Sequence, residues 1–230
     1  MFEVFFLFLF IIHIIILIIK NYYSTNLMYD KLTYEKKNYF VKNLFKSYFL
    51  FFFSIIATYY GVLGYIYNQW HQNTIHALGL MYSAVDLYGL LTIKNMSITT
   101  TLHHCVVITL SICNLFVTYP NYSTHINLMI IYTLFSAYSF LVNHFLAVRL
   151  INKNLSSLHN NITLAYYSYL FNCMINWIIH TIFVLNDIYQ YKFNIPLLIY
   201  CIIILAVIND DIVLISFLKY QYLKLKVSYL

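Results

Sequence analysis

Seven apolar stretches, each long enough to cross a lipid bilayer, dominate the chain. A helix needs about 20 mostly apolar residues to cross a hydrocarbon layer about 30 Å thick. The stretches that qualify are 2–19, 47–67, 75–93, 101–119, 125–148, 162–185 and 196–218. Only 9% of the residues are charged, whereas a soluble domain carries about 25%. The sequence therefore predicts an all-α membrane protein with about seven transmembrane helices. It excludes an ordinary soluble enzyme, a disordered chain and a disulfide-rich secreted scaffold.

The same pattern divides the chain into three parts. Residues 1–43 form an anchor helix with a basic loop, 44–220 a six-helix transmembrane domain, and 221–230 a short basic tail. The first stretch is read as an anchor rather than a signal peptide, because it begins with an acid, Glu3, and no small-residue cleavage site follows it. The loop 20–46 fits two interpretations: a topogenic linker, which we favour, or a surface helix on anionic lipid.

The positive charges lie almost entirely on one side of the predicted membrane domain. Of the 13 Lys and Arg residues, only Lys192 falls on the opposite side. Basic loops stay in the cytosol, so the N-terminus is expected in the lumen and the C-terminus in the cytosol. The net charge of +6 thus reports topology, and no nucleic-acid partner is expected. Abundant Ile, Asn, Tyr, Phe and Lys with little Gly and Pro indicate an AT-rich coding sequence.

Several polar residues lie inside the apolar stretches, where such groups are costly and often mark a functional path. The ionisable ones include Asp86, the pair His103–His104, His144 and the pair Asp210–Asp211. At 1.5 Å per residue, Asp86 and the Asp pair lie about 10 Å below the cytosolic boundary and the His pair about 3–5 Å below it. Four helices therefore bring these groups to one layer. The two Asp side chains must point about 100° apart, so at least one of them is expected to be structural or protonated.

The remaining polar residues are candidates for lining a path or for holding helices together. They are Ser111, Asn114, Asn143, Ser168, Asn172, Asn176 and His180. The last four recur at four-residue intervals, and Ser168, Asn172 and Asn176 should face the bundle interior. Such stripes are more typical of interhelical hydrogen bonds than of a substrate path.

Asp86 and the His pair lie on consecutive helices joined by residues 94–100, so these helices should be antiparallel neighbours. We expect Asp86 to contact one histidine directly or through one water, while the other faces a neighbouring helix or lipid. His103 is the expected inward residue, because its stripe continues through Ser111 and Asn114.

The His pair has a poor arrangement for a metal site. Side chains of adjacent residues on a helix diverge, and metal-binding histidines on one helix are usually four apart. Thr100 stands where the H-x-x-H-H box of fatty-acid elongases and membrane hydroxylases needs its first histidine. No bound metal and no resident cofactor are expected.

The stretch MYSAVDLYGLLTIKNMSITTTLHHCVVITLSI at 81–112 resembles the TLC-domain family, which includes ceramide synthases and translocation-associated membrane proteins. Members of the family have an Asp in one helix, a short linker, and Leu-His-His opening the next. A second stretch, FSAYSFLVNHFLAVRL at 135–150, is similar to the family's fifth-span segment. The resemblance implies a six-helix core over about 44–220 in a membrane of the endoplasmic-reticulum type.

The resemblance also implies two functions, which stay open. The first is lipid binding or membrane lipid homeostasis, with a membrane lipid as partner. The alternative is an N-acyltransferase that takes acyl-CoA as co-substrate and a long-chain base as acceptor. It is ranked second because LMIIYTLFSAYSF at 128–140 lacks the second acidic box of active ceramide synthases. The oligomeric state is left open.

The residue roles follow from that alternative. Asp86, His103 and His104 would be catalytic, a histidine serving as general base or nucleophile. The candidates for substrate contact are Asn143, His144, Asp210, Ser111, Asn114, Asn172 and Asn176.

Overall fold

The computed structural model describes residues 2–93, 96–119, 124–191 and 195–229, and every regular element in these ranges is a helix. The helices are α1 Phe2–Tyr23, α2 Leu27–Asp30, α3 Tyr34–Tyr65, α4 Gln72–Thr92, α5 Ile98–Asn114, α6 Thr124–Ala137, α7 Phe140–Val148, α8 Leu155–Tyr191 and α9 Ile195–Tyr229. The predicted all-α class is confirmed. The protein is an integral, multi-pass membrane protein.

Six helical segments are long and apolar enough to cross a membrane: α1, α3, α4, the α6–α7 segment from Ile130 to Val148, α8 and α9. The seventh expected span is α5, an apolar helix of 17 residues. At 1.5 Å per residue it covers about 25 Å, near the lower limit for a span. Successive helices run antiparallel, so one end of the bundle carries α2, residues 96–97 and residues 149–154. We call this the basic end.

Side-chain caps fix where two helices begin at the basic end. Thr33 accepts a hydrogen bond from the backbone N–H of Lys36 and begins α3. Ser97 accepts from the N–H of Thr100 at 3.1 Å and begins α5. Such caps satisfy N–H groups that have no partner within the helix. The Ser97 cap places the two histidines of α5 within its first two turns.

The loop expected over 20–46 is largely helical, and the favoured interpretation as a linker was wrong. α3 begins at Tyr34, and Phe40 and Val41 are fully buried against α1. Tyr23 and Tyr29 pack their rings on Phe40. The six lysines of this segment favour a loop at the membrane surface. The apolar residues between them, however, form a helix face that packs against the protein.

The fifth span is not the continuous helix expected over 125–148. The helix is interrupted at Tyr138 and Ser139, between α6 and α7. The Tyr138 hydroxyl pairs with the hydroxyl of Thr58 at 2.8 Å, and the Asn143 amide donates to the Ser139 carbonyl at 3.0 Å. At the break the backbone N–H groups of Tyr138 and Ser139 bond to the carbonyls three residues before them, rather than four. Beyond the break, α7 packs on α3 and α8.

The first helix is peripheral, as expected. Ile12 and Ile16 are 1% and 2% exposed, whereas Phe6 and Phe10 on the other side are more than half exposed. α1 packs on α3 and α4 and leaves the remaining helices to form the bundle. Much of the exposed surface of α8 and α9 is apolar too, as a lipid-facing surface must be.

Candidate functional site

A cavity of about 530 Å³ lies at the basic end, between α3, α4, α5, α7 and α9. It reaches from Ser136 and Asp211 within the bundle to Met96 and Ser97 in the loop before α5. Its charged and strongly polar lining residues include Lys42, Asn43, Lys46, Asp86, Thr100, His103, His104, Asn143, Arg149, Asp210 and Asp211. Three of the four helices expected to supply ionisable groups to one layer do so, and α3 supplies others that were not expected.

The centre of the cavity wall is a buried carboxylate with two basic neighbours. Asp86 is 1% exposed, and its Oδ1 accepts a hydrogen bond from Lys46 Nζ at 2.7 Å. Its Oδ2 lies 3.2 Å from Nδ1 of His104. A carboxylate at this depth needs a positive group or hydrogen-bond donors to compensate for its lost hydration. Lys46 meets this need, and the contact with His104 confirms that Asp86 touches one of the two histidines.

The other histidine, His103, faces a second acid. Its Nδ1 lies 3.4 Å from Oδ2 of Asp210 on α9, and Thr100 donates its hydroxyl to Oδ1 of the same residue at 3.0 Å. His103 was the expected inward residue, but the histidine that contacts Asp86 is His104, and His103 faces a neighbouring helix. α5 packs between α4 and α9. Residues about 100° apart on it reach different neighbours: His104 faces α4 and His103 faces α9.

The two acid–histidine pairs adjoin each other. The imidazole centroids of His103 and His104 are 5.7 Å apart, with the rings nearly perpendicular. Both histidines are nearly buried, at 13% and 11% exposure. These contacts connect five ionisable side chains in a row across α3, α4, α5 and α9: Lys46, Asp86, His104, His103 and Asp210.

Asp211, next to Asp210, has a different environment. It is 4% exposed and accepts hydrogen bonds from the hydroxyls of Tyr132 and Tyr169 and from the indole N–H of Trp177. Three donors from α6 and α8 satisfy this carboxylate within the bundle. The pair therefore divides as expected: Asp210 faces the histidines at the cavity, and Asp211 joins helices.

The remaining predicted site residues have separate places. Asn143 lines the cavity and bonds back to its own helix. His144 is half-buried and Asn172 is partly exposed, while Asn176 is buried; none of the three lines this cavity. The expected inward orientation of the α8 stripe is seen at Asn176, which is buried, and at Ser168, whose Oγ is buried. Asn172 is only partly buried.

Ser111 and Asn114 line a second cavity, deeper in the bundle and almost entirely apolar, of about 100 Å³. Asn114 accepts a hydrogen bond from the hydroxyl of Tyr119 there. Its amide nitrogen lies only 3.2 Å from the position that a Cβ on Gly79 would take. Ser111 and Asn114 therefore lie apart from the acids and histidines of the first cavity.

The sequence did not predict three cationic residues of this site. Lys42, Lys46 and Arg149 all line the cavity, but the sequence treats them as markers of the cytosolic side. Lys42 and Lys46 are four residues apart, within a segment whose Phe40, Val41 and Leu44 are buried. That spacing puts both lysines on one helix face, and it is the signal that could have identified them.

No family model matches the chain, and no match was found among curated proteins or solved structures. Among the described residues, no group of three or more His, Cys, Asp and Glu side chains has the geometry to hold a metal ion. The residues present can bind a charged group, and an imidazole can accept or donate a proton.

Proposed function

We propose that this membrane protein is of the TLC type and binds the polar head of a membrane lipid in the cavity at its basic end. The observation that carries the proposal is the Lys46–Asp86–His104 group, set within a cavity large enough for a head group. The resemblance of 81–112 to the family supports it, because the Asp and the His-His pair of that motif meet at this cavity.

The walls of the cavity suit a lipid. The polar row lies on one side, and apolar residues that include Ile12, Ile16 and Val213 complete the lining. Ile12 and Ile16 belong to α1, whose opposite face is exposed. A single helix therefore separates this part of the cavity from the surrounding bilayer, which gives a lipid a short route to the polar row.

The proposed setting is an endoplasmic-reticulum-type membrane, with the N-terminus in the lumen and the basic end in the cytosol. Twelve of the 13 Lys and Arg residues support this orientation. The cavity then lies in the cytosolic half of the membrane. Head groups of the cytosolic leaflet and soluble cytosolic ligands would both reach it.

The alternative function is N-acyl transfer from acyl-CoA to a long-chain base. His104 turns Nδ1 toward Asp86, which leaves Nε2 to accept a proton from the attacking amine. The amine nitrogen forms the amide bond as the thioester C–S bond breaks, and the CoA thiolate takes the proton back. Asp210 beside His103 favours this alternative. It gives the site a second acid from α9, although the family's second acidic box is missing from 128–140.

Purified full-length protein tests both functions. Lipid extracted from the preparation is identified by mass spectrometry, and the same preparation is assayed with acyl-CoA and a long-chain base. Lipid binding predicts a defined lipid that is lost from His104→Ala. Acyl transfer predicts amide product that falls at least about a hundredfold in the same variant.

The matched control is His144→Ala, because His144 is a partly buried histidine outside the cavity. It should retain both the bound lipid and any product formation. Equal recovery of lipid from His104→Ala and from the parent protein would contradict binding at the polar row.

A further inference from the structure

Two cations in the cavity have no acidic partner. Lys42 is 9% exposed, and its Nζ has no hydrogen-bond partner among the described residues. Arg149 also lines the cavity, and its buried Nε has no partner there either. Within the described ranges, no carboxylate lies within 4 Å of either side chain. Lys42 and Arg149 are therefore two buried cations in the cavity wall without a paired carboxylate.

The acids nearby are already engaged. Asp86 is held by Lys46 and His104, and Asp210 by His103 and Thr100. The third acid of the cavity accepts from two tyrosines and a tryptophan. None of these acids lies within 4 Å of Lys42 or Arg149, so neither cation has a paired carboxylate.

Lys42 is held in an unfavourable position. A buried ammonium without a partner loses its hydration and gains nothing in return. Lys20 at the end of α1 lies close enough to add repulsion between like charges. Such an arrangement is typical of a binding group that is completed by an anionic ligand, because residues at functional sites often reduce stability.

Arg149 is pre-oriented for an anion. Its guanidinium lies over the rings of Phe217 at 4.9 Å and Phe145 at 5.9 Å, and it interacts with the side chain of Tyr39. Tyr39 and Lys42 are three residues apart on α3 and line the same cavity. The planar guanidinium provides paired N–H donors that match the oxygen atoms of a phosphate group.

We infer that Lys42 and Arg149, with Tyr39 beside them, bind a phosphate group of the ligand that occupies this cavity. Where the phosphate belongs to a lipid, the inference rests on the proposed function. The same chemistry could be supplied by the phosphates of CoA, so the experiment must distinguish an anionic phospholipid from a soluble nucleotide.

The test uses detergent-purified full-length protein and three probes that separate phosphate from acyl chain. Dioctanoyl phosphatidic acid carries both, dioctanoylglycerol carries only the chains, and CoA carries only phosphates. Thermal unfolding measured against probe concentration gives an apparent affinity, because a ligand that binds the folded state raises the melting temperature.

We expect phosphatidic acid or CoA to stabilise the parent protein and dioctanoylglycerol to give no comparable shift. Lys42→Met and Arg149→Gln should each weaken the apparent affinity about tenfold or more, because each removes a charge-assisted contact. Arg149→Lys should lie between Arg149→Gln and the parent. Lys42→Met should also raise the melting temperature of the unliganded protein, since it removes a buried unpaired charge.

The matched control is Lys36→Met, which removes the same charge from an exposed position of α3. It should bind the phosphate probes as the parent does. A shift with phosphatidic acid alone assigns the phosphate to a lipid, and a shift with CoA assigns it to a soluble ligand; both support the site.

Two results would overturn the inference. One is that Lys42→Met and Arg149→Gln respond to the phosphate probes as Lys36→Met does. The other is that neither phosphate probe stabilises the parent, or that dioctanoylglycerol does so equally well. Lipid identified in the purified protein would leave the proposed function standing in these cases, and its absence would remove that function as well.

Discussion

Lys46 on α3 donates a hydrogen bond at 2.7 Å to Asp86 on α4, forty residues further along the chain. The carboxylate is 1% exposed and the lysine side chain 23% exposed, so the ammonium reaches from the edge of the cavity to a buried acid. This ion pair links the two helices at the level where α5 supplies His104. It therefore both stabilises the bundle and sets the charge of the candidate site.

Lys46→Met should lower the free energy of unfolding by about 3 kcal/mol, because it leaves a buried carboxylate without its main counter-charge. Lys46→Met combined with Asp86→Asn should recover much of that loss. Denaturant titration of the purified variants measures both values.

The control for this prediction is Lys37→Met on the same helix. Lys37 also forms an ion pair, 3.0 Å from Asp30, but the acid is 72% exposed. Exposed pairs contribute at most about 1 kcal/mol. If Lys37→Met and Lys46→Met lowered the free energy of unfolding equally, the Lys46–Asp86 pair would contribute no more than a surface ion pair.

The sequence predicted the contact between Asp86 and a histidine but not the partner that holds the acid. The contact follows from two facts that are visible in the sequence: a short loop between two spans, and the depth of each group within its helix. The role of Lys46 was not predicted, because a lysine near the end of a span normally indicates membrane topology. Only the packing of α3 against α4 brings it to the acid.

The exchange of roles between His103 and His104 has a similar cause. Helical spacing predicts which residues share a face, but it does not predict which helix packs against that face. His103 shares its face with Ser111 and Asn114, as expected. That face points to α9 and to the second cavity rather than to Asp86. At the break the Tyr138 hydroxyl contacts Thr58 of α3, and this distant contact cannot be read from the local pattern of 125–148.

The adjacent acids on α9 should respond very differently to substitution. Asp211→Ala removes the acceptor of two tyrosine hydroxyls and an indole N–H within the bundle. Each buried donor left without a partner costs about 1–3 kcal/mol, so a loss of about 3 kcal/mol in unfolding free energy is expected. Asp210→Ala should cost less, because Asp210 is 14% exposed at the cavity.

The same two variants separate stability from function. Asp210→Ala should alter lipid recovery or product formation in a folded protein, since His103 loses its acidic partner. Denaturant titration and the lipid assay are made on the same samples. A greater loss of stability from Asp210→Ala than from Asp211→Ala would mean that Asp210, and not Asp211, joins the helices.

The membrane orientation can be tested by itself. A reporter fused after Leu230 should lie in the cytosol and one before Met1 in the lumen, because the basic residues gather at one end of the bundle. Protease protection of sealed microsomes measures both. The opposite orientation would place the cavity in the lumenal half of the membrane and would remove cytosolic CoA as a ligand.

At the end of the bundle opposite the basic end, Gly64 lets an aromatic cluster close on α3. The ring of Trp70 lies 2.9 Å from the position that a Cβ on Gly64 would take. That ring also stacks on Tyr119, with centroids 5.1 Å apart. Gly64→Ala must displace the indole, and overpacking of this kind costs about 1–3 kcal/mol of unfolding free energy.

Gly89→Ala on α4 is the matched control, because no atom lies within 4 Å of its added Cβ. Alanine is favoured over glycine in a helix interior by about 1 kcal/mol, so this variant should be equally stable or more stable. Trp70 fluorescence, recorded in a Trp177→Phe background, should shift in Gly64→Ala and stay unchanged in Gly89→Ala. If Gly64→Ala left both the unfolding free energy and the Trp70 spectrum unchanged, the indole would not be packed on α3.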